Sequence, residues 1–255
     1  MFLSHGDGVV GTALARGPWD PGAAHGGPVA ALIGREVERH DPDPALFTVR
    51  FTIELLRPVP LAHLRLEAAT VRGGKRVRLV GVSVTNDGTE VARATALRVL
   101  RSAEDAPRSE PGATLDVPPP DDCPPAPGLV PDRIGITSAV ELRAAVGSAL
   151  RAGPATYWFR VHAPLVDDEP ITPLTRALVA ADFGNGIASV TSLDRHVFIN
   201  PDLTVHLHRL PEGEWVANDA VTVLEPGGAA RADATIHDRT GPLGRATQCL
   251  YVAAR

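Results

Sequence analysis

Apolar and polar residues alternate along several segments of this chain, as they do in strands that bury one face. Between positions 49 and 55 the apolar residues occupy every second place: Val49, Phe51, Ile53 and Leu55. A period of two puts all of these side chains on one face of a strand. Residues 203–207 repeat the alternation, so the sequence predicts a second strand of the same kind.

Further strand-like runs follow each of these two segments. They span residues 61–71, 76–85 and 90–100 in the first half of the chain, and residues 215–224, 229–237 and 243–252 in the second half. Glycine-rich or Asn-Asp-Gly stretches separate most neighbouring runs, and residues of these types form hairpin turns. Each half of the chain is therefore predicted to be an antiparallel meander.

One helix is predicted in front of each meander. In the first half, Pro28 suits the first helical position, residues 29–37 carry an apolar stripe, and His40-Asp41-Pro42 ends the helix. In the second half, Thr172 is the expected N-cap, and Gly184-Asn185-Gly186 is the expected end. The sequence of each half therefore predicts one apolar helix that lies on a curved antiparallel sheet.

The two halves are related by a constant offset along the sequence. Arg57 and Arg209 lie in similar segments and are 152 positions apart, as are Arg93 and Arg245. Such agreement indicates that one folding unit has been duplicated.

The boundary between the units follows from composition. Residues 102–131 are rich in Pro, Asp and Glu, and this mixture sustains neither a helix nor a central strand. We therefore expect an N-terminal unit over residues 1–101, a linker over 102–131 and a C-terminal unit over 132–255. Residues 134–146 fit a helix or a strand, and we interpret them as the first strand of the second unit. Residues 158–162 are predicted to form another strand.

Composition and charge exclude several classes of protein. The formal net charge is −5 in a chain of 255 residues, and Arg is scattered, so we expect no nucleic-acid partner. No apolar run approaches the roughly 18 residues of a membrane helix, and the first residues lack a leader pattern, which predicts a cytoplasmic protein with no membrane partner. Cys123 and Cys249 show no metal-binding spacing, so neither a metal nor another cofactor is expected.

With these elements placed, the sequence resembles the type II acyl-CoA thioesterases. The residues that carry the resemblance occur in the same order along both halves: Trp19, His25-Gly26-Gly27, Leu55-Leu56-Arg57-Pro58, Ala92-Arg93-Ala94, Ala181-Asp182-Phe183-Gly184, Phe198-Ile199-Asn200-Pro201 and Gly244-Arg245-Ala246-Thr247-Gln248. The resemblance implies an α+β double hot-dog fold, in which each of two fused units wraps an antiparallel sheet around one helix. It also implies an enzyme that hydrolyses a fatty or related acyl-CoA with a carboxylate-activated water, and subunits that associate as a homo-oligomer.

The resemblance also implies a catalytic trio. The family has an Asp on the second helix, a Thr at the start of the following strand and a Gln in the last strand, and these positions correspond to Asp182, Asn200 and Gln248. Asn200 departs from the family residue, although an amide also offers a donor and an acceptor that can hold a water molecule. Gln248 replaces Ala96 of the first unit, and a polar residue there indicates a buried hydrogen bond or a site.

Thioester hydrolysis also requires donors for the negative charge that collects on the carbonyl oxygen. His25, Gly26 and Gly27 precede the first helix, where backbone N–H groups lack intrahelical partners, so we expect these residues to bind the substrate. A tight loop is an equally good interpretation of the same residues. Two competing functions remain at this stage: a non-catalytic acyl-binding protein and an enoyl thioester hydratase. The sequence defines neither the acyl group nor the residues that bind the CoA phosphates.

Overall fold

A computed structural model describes residues 1–101, 109, 115–126, 134–191 and 195–255. In the N-terminal half, two short strands, β1 (Phe2–His5) and β2 (Gly8–Gly11), precede helix α1 (Gly26–His40) and the strands β3 (Leu46–Leu55), β4 (His63–Arg72), β5 (Val77–Asn86) and β6 (Thr89–Leu100). The C-terminal half comprises β7 (Val140–Val146), β8 (Ala155–Val161), helix α2 (Pro173–Ala181), the short helix α3 (Gly184–Ile187), β9 (His196–Ile199), β10 (Asp202–Leu207), β11 (Trp215–Leu224), β12 (Ala229–Asp238) and β13 (Gly241–Ala254).

All named strands of the described residues belong to one antiparallel sheet. Its order is β1-β2-β4-β5-β6-β3-β10-β13-β12-β11-β8-β7, and β9 pairs separately with β13. Strands β3 and β10 join the two halves, and at their centre Thr52 lies opposite Thr204. These two residues are 152 positions apart, and their hydroxyl oxygens are 3.2 Å from each other. The sequence offset therefore corresponds to a two-fold relation between the halves, with its axis passing close to this pair.

The two helices lie against each other on the inner face of the sheet. The apolar stripe of α1 is fully buried and packs on β3 to β6, while α2 packs on β8, β11 and β12. Gly34 of α1 allows the close approach, because a Cβ atom there would lie 2.5 Å from a methyl carbon of Leu178 on α2. Burial of apolar surface by both helices is the main stabilising contribution to this core. The result is the double hot-dog arrangement that the sequence predicts.

Most strand predictions are confirmed within one to three residues, and three features differ. Strands β1, β2 and β9 were not predicted, because segments of four residues are too short to show a period. Helix α2 ends at Ala181, earlier than predicted, and Gly184–Ile187 forms a separate helical turn. Within residues 134–146, the strand occupies only Val140–Val146.

Part of the predicted linker lies within the described residues. Residues 115–126 pack on the C-terminal half: the Trp158 indole donates to the Pro118 carbonyl at 3.0 Å, and the Ala126 N–H donates to Leu142 at 2.8 Å. The remainder of the predicted linker falls outside the described residues, apart from position 109. The domain boundaries themselves stay a proposal.

Asp238 stabilises the turn that leads from β12 to β13. Burial raises the pKa of Asp238, but hydrogen bonds from Arg209, the Glu212 N–H and Thr240 outweigh this and lower it from 3.8 to about 2. A carboxylate whose pKa is lower in the folded state contributes stability above its unfolded pKa and loses it as the pH falls. The shift corresponds to about 2 kcal/mol, which is lost between about pH 4 and pH 2.

We expect Asp238→Asn to lower the free energy of unfolding at pH 7 by about 2 kcal/mol and to flatten its pH dependence between pH 4 and 2. Urea unfolding at several pH values measures both effects. Asp233→Asn is the control, because Asp233 pairs with Arg231 on the surface, where an ion pair contributes only about 0–1 kcal/mol. Equal losses in the two variants would contradict the assignment.

Candidate active site

A cavity of about 390 Å³ lies between the two halves. Its volume falls within the range of small-molecule sites, about 300–1,000 Å³. The apolar part of its wall comes from the first half at Trp19, Val29, Leu55 and Val59, and from the second half at Val197, Phe198 and Ile199. All of the sequence-predicted site residues except Gly27 line the cavity: His25, Gly26, Asp182, Asn200 and Gln248.

Asp182 is the C-cap of helix α2, and its side chain is only 3% exposed. The buried stripe of the helix fixes its position, and Asn218 on β11 fixes the last turn. The Asn218 side-chain amide donates to the Ala180 carbonyl at 2.9 Å, which satisfies one of the carbonyls that a helix end leaves without a partner. Asp182 is thereby presented to the cavity from a rigid helix end.

Two side-chain amides converge on one oxygen of this carboxylate. The Asn200 Nδ2 and the Gln248 Nε2 each donate to the Asp182 Oδ1 at 2.8 Å. Gln248 lies on β13 and is 2% exposed, and Asn200 lies between β9 and β10. The structure therefore brings together three residues that the sequence predicts as a trio, and Asn200 reaches the carboxylate although it stands where the family has Thr.

His25 approaches the other oxygen of the carboxylate. It is the N-cap of helix α1, and its Nδ1 lies 2.9 Å from the Asp182 Oδ2. The same Nδ1 accepts a hydrogen bond from the Gly27 N–H at 3.1 Å and so caps the helix. The imidazole stacks on Phe183, with ring centroids 4.7 Å apart and an interplanar angle of 27°. The N-terminus of α1 and the C-terminus of α2 thus meet at one carboxylate.

The two glycines at the start of α1 allow this meeting. A Cβ atom on Gly26 would lie 2.7 Å from the Asp182 Oδ2, and one on Gly27 would lie 2.9 Å from the Val179 carbonyl oxygen. Real Cβ contacts are longer, so any other residue at position 26 would displace the carboxylate. Both backbone N–H groups belong to the first turn of α1, where no intrahelical acceptor exists.

The sequence did not identify three residues that shape the site. Asn218 is completely buried within β11 and secures the end of α2, Phe183 supports the imidazole, and the Asn185 N–H donates to the Gln248 Oε1 at 3.4 Å. A polar residue within the otherwise buried start of β11 was the signal available for Asn218. Phe183 and Asn185 carry no such signal, because their roles depend on the turn that follows α2.

Neither cysteine has the character of a nucleophile. Burial is the main reason that the pKa of the Cys123 thiol is raised, and the nearby Asp122 carboxylate raises it further. Desolvation is also the main reason that the pKa of the Cys249 thiol is raised, and the Asp202 carboxylate raises it further. Because the thiolate is the reactive form, both thiols are held in the less reactive state. Within the described residues, no group of three or more His, Cys, Asp or Glu side chains is arranged to bind a metal ion.

The fold is shared with solved structures over nearly the whole chain. A proposed thioesterase from Novosphingobium aromaticivorans is 23% identical, with a TM-score of 0.78 over 98% of this chain and 97% of that chain. A hot-dog protein from Alicyclobacillus acidocaldarius is 19% identical, with a TM-score of 0.78 over 100% and 96% of the two chains. An acyl-CoA thioesterase II from Mycobacterium marinum is 17% identical, with a TM-score of 0.68 over 95% and 97%. No curated protein matches the sequence.

Fold and cavity together place this chain in the class of double hot-dog proteins with a thioesterase architecture. The chain belongs to the acyl-CoA thioesterase family: the model of the family's N-terminal domain matches residues 15–99, and that of its C-terminal domain matches residues 120–252. It is therefore a thioester hydrolase of the acyl-CoA type, which confirms the predicted activity. In the part of the chain that the structure describes, no helix is long and apolar enough to cross a bilayer.

Proposed function

We propose that this enzyme hydrolyses a fatty or related acyl-CoA in the cavity between its halves, with a water molecule activated at Asp182. The observation that carries the proposal is the convergence of Asn200 and Gln248 on the Asp182 Oδ1 at the cavity wall. The two amides fix the orientation of the carboxylate, because both donate to the same oxygen. A fixed anion beside an apolar cavity is suited to removing a proton from water.

The carbonyl oxygen of the thioester requires hydrogen-bond donors as it gains negative charge. We assign this role to the first turn of α1, with the Gly26 N–H as the donor, because this group has no intrahelical acceptor and Gly26 lines the cavity. Gly27 does not line the cavity, and its N–H already donates to the His25 Nδ1 at 3.1 Å. Loss of one donor of this kind typically costs about 3 kcal/mol in the transition state.

The apolar wall supports an uncharged acyl group as the substrate. Trp19 and Phe198 lie 6.2 Å apart between ring centroids, and both line the cavity. A charged acyl terminus would lose its hydration against such a wall, which costs several kcal/mol.

We further propose a cytoplasmic location and a role in lipid metabolism. The two unpaired cysteines, Cys123 and Cys249, are consistent with a reducing compartment.

A pair of substrates matched in length tests this proposal. We expect kcat/KM for butyryl-CoA to exceed that for succinyl-CoA by about 100-fold or more, because only the second has a carboxylate to bury. Release of CoA thiol measures both rates, and octanoyl-CoA, palmitoyl-CoA and phenylacetyl-CoA extend the series. Equal rates for the matched pair would contradict an apolar acyl site.

The same enzyme and substrates distinguish the proposed hydrolysis from the two competing functions. An acyl-binding protein would bind one of these thioesters and release no thiol from any of them. A hydratase would deplete the absorbance of an enoyl-CoA without releasing thiol. Either result would contradict the proposed function.

A further inference from the structure

The mouth of the cavity has one cationic side chain. Six of the lining residues are exposed and define this mouth: Trp19, Asp20, Leu56, Arg57, Pro58 and Ile199. Arg57 is the only Lys or Arg among the described residues that line the cavity. Asp20 directs its Oδ1 to the Gly22 N–H at 2.7 Å, and within the part of the chain that the structure describes neither Asp20 nor Arg57 belongs to an ion pair. The Arg57 guanidinium is therefore available where a substrate enters.

The second copy of the folding unit shows how an arginine at this position acts when its role is structural. Arg209, the counterpart of Arg57, donates to both oxygens of Asp238 at 2.6 and 2.7 Å. It also donates to the Gly241 carbonyl at 2.8 Å and to the Pro242 carbonyl at 3.0 Å. Arg209 is thus bound to the turn between β12 and β13 and holds that turn in place.

The first copy lacks the carboxylate that would hold Arg57 in the same way. Strands β5 and β12 begin and end at equivalent positions, so Asn86 is the counterpart of Asp238. A neutral amide cannot form an ion pair, and the Asn86 Nδ2 donates instead to the His63 carbonyl at 2.9 Å. The first copy has therefore kept the arginine without its carboxylate partner. Support of a turn does not account for Arg57.

The backbone nevertheless fixes where Arg57 lies. Its N–H and that of Leu56 both donate to the Val91 carbonyl, at 3.1 and 3.0 Å. The side chain therefore extends from a fixed point on the cavity wall. Arginine binds phosphate with paired N–H donors, and such charge-assisted hydrogen bonds are about twice as strong as neutral ones.

The polarity of an acyl-CoA determines which of its ends lies at this mouth. The acyl group fits the apolar wall, and the thioester carbon must approach Asp182, which is buried. The CoA portion, with its phosphates, then extends outward past Arg57. A chain with a formal net charge of −5 repels such an anion over much of its surface, so a positive charge at the mouth offsets this repulsion locally.

We propose that Arg57 binds a phosphate of the CoA portion and so favours CoA thioesters over thioesters without phosphate. This inference rests on the proposed function and adds the residue that recognises the leaving group. A single side chain carries the recognition, because its counterpart Arg209 is committed to Asp238.

Substitution of Arg57 tests the proposal with two thioesters that share an acyl group. We expect Arg57→Ala to raise KM for butyryl-CoA about 10-fold, with kcat changed less than two-fold, because a hydrogen bond to a charged group is lost away from the reacting atoms. KM for butyryl-pantetheine, which has no phosphate, should not change. Arg57→Lys keeps the charge and should recover part of the affinity. Added salt should raise KM for butyryl-CoA less in Arg57→Ala than in the wild type.

Arg231→Ala is the matched control, because it removes an equal charge from the outside of β12, where Arg231 pairs with Asp233. We expect it to keep wild-type KM for both thioesters. Butyryl-phosphopantetheine distinguishes the two sources of phosphate. An effect of Arg57→Ala confined to butyryl-CoA assigns the contact to the nucleotide, and an effect on both assigns it to the phosphate next to pantetheine.

Two results would overturn the inference: an unchanged KM for butyryl-CoA in Arg57→Ala, or an equal rise for butyryl-pantetheine in a variant with wild-type melting temperature. Either result leaves the proposed function standing as long as the wild type hydrolyses butyryl-CoA. If the wild type hydrolyses no acyl-CoA, the proposed function itself fails.

Discussion

We expect Asp182→Asn to lower kcat for acyl-CoA hydrolysis by about 10²–10⁴-fold, the range that general-base assistance typically provides. The substitution preserves the shape of the side chain but removes the negative charge on which His25, Asn200 and Gln248 converge. The substitution also replaces one carboxylate oxygen with an NH2 group. This group cannot accept the hydrogen bonds that the neighbouring side-chain amides donate. Steady-state release of CoA thiol from the best substrate measures the loss.

The matched control for this variant is Asp233→Asn, an equivalent change on the outside of β12, where Asp233 pairs with Arg231. We expect this control to keep wild-type kcat and KM. Thermal unfolding of both variants shows whether the fold is retained. An Asp182→Asn enzyme with more than a tenth of wild-type kcat would exclude Asp182 from the chemistry.

Gly26→Ala is expected to reduce kcat about 100-fold or more while the protein still folds. The added Cβ atom would lie 2.7 Å from the Asp182 Oδ2, so the carboxylate must move away from His25 and from both amides. The clash is with the tip of a side chain and not with the backbone, so we expect only about 1–2 kcal/mol of lost stability. Kinetics and urea unfolding of the same preparation separate the two effects.

Gly73→Ala provides the control for backbone substitution. A Cβ atom there would meet only a methyl group of Thr70, at 3.8 Å, so neither stability nor kcat should fall. A Gly26→Ala enzyme with unchanged kcat would show that the carboxylate tolerates displacement, and the role assigned to Asp182 would be contradicted.

The fold could be predicted well because its strands are long and bury one face. Ten-residue strands such as β3 and β11 display the period of two several times over, and the offset of 152 positions links the halves without any coordinates. The four-residue strands β1 and β9 display it at most twice. Their pairing depends on neighbours distant in the chain, and local sequence does not encode that dependence.

The candidate site was predictable residue by residue but not as a network. Asp182, Asn200 and Gln248 were identified by resemblance, and the structure places them in contact. The contact between His25 and Asp182 was not predicted, because it joins the start of one helix to the end of another, 157 positions away. The sequence predicted His25 only as a residue that binds the substrate. It gave no reason to pair His25 with Asp182, because the two residues do not share a loop.

The two-fold relation around Thr52 and Thr204 has a consequence for how such a site arises. Two identical subunits assembled in the same way would have the same residue at equivalent places, with either two glutamines or two alanines in the last strands. Fusion into one polypeptide removes this constraint, since each copy then changes independently. Gln248 and Ala96 occupy such equivalent places, so one copy has specialised for polar contacts with Asp182 while the other has kept an apolar core.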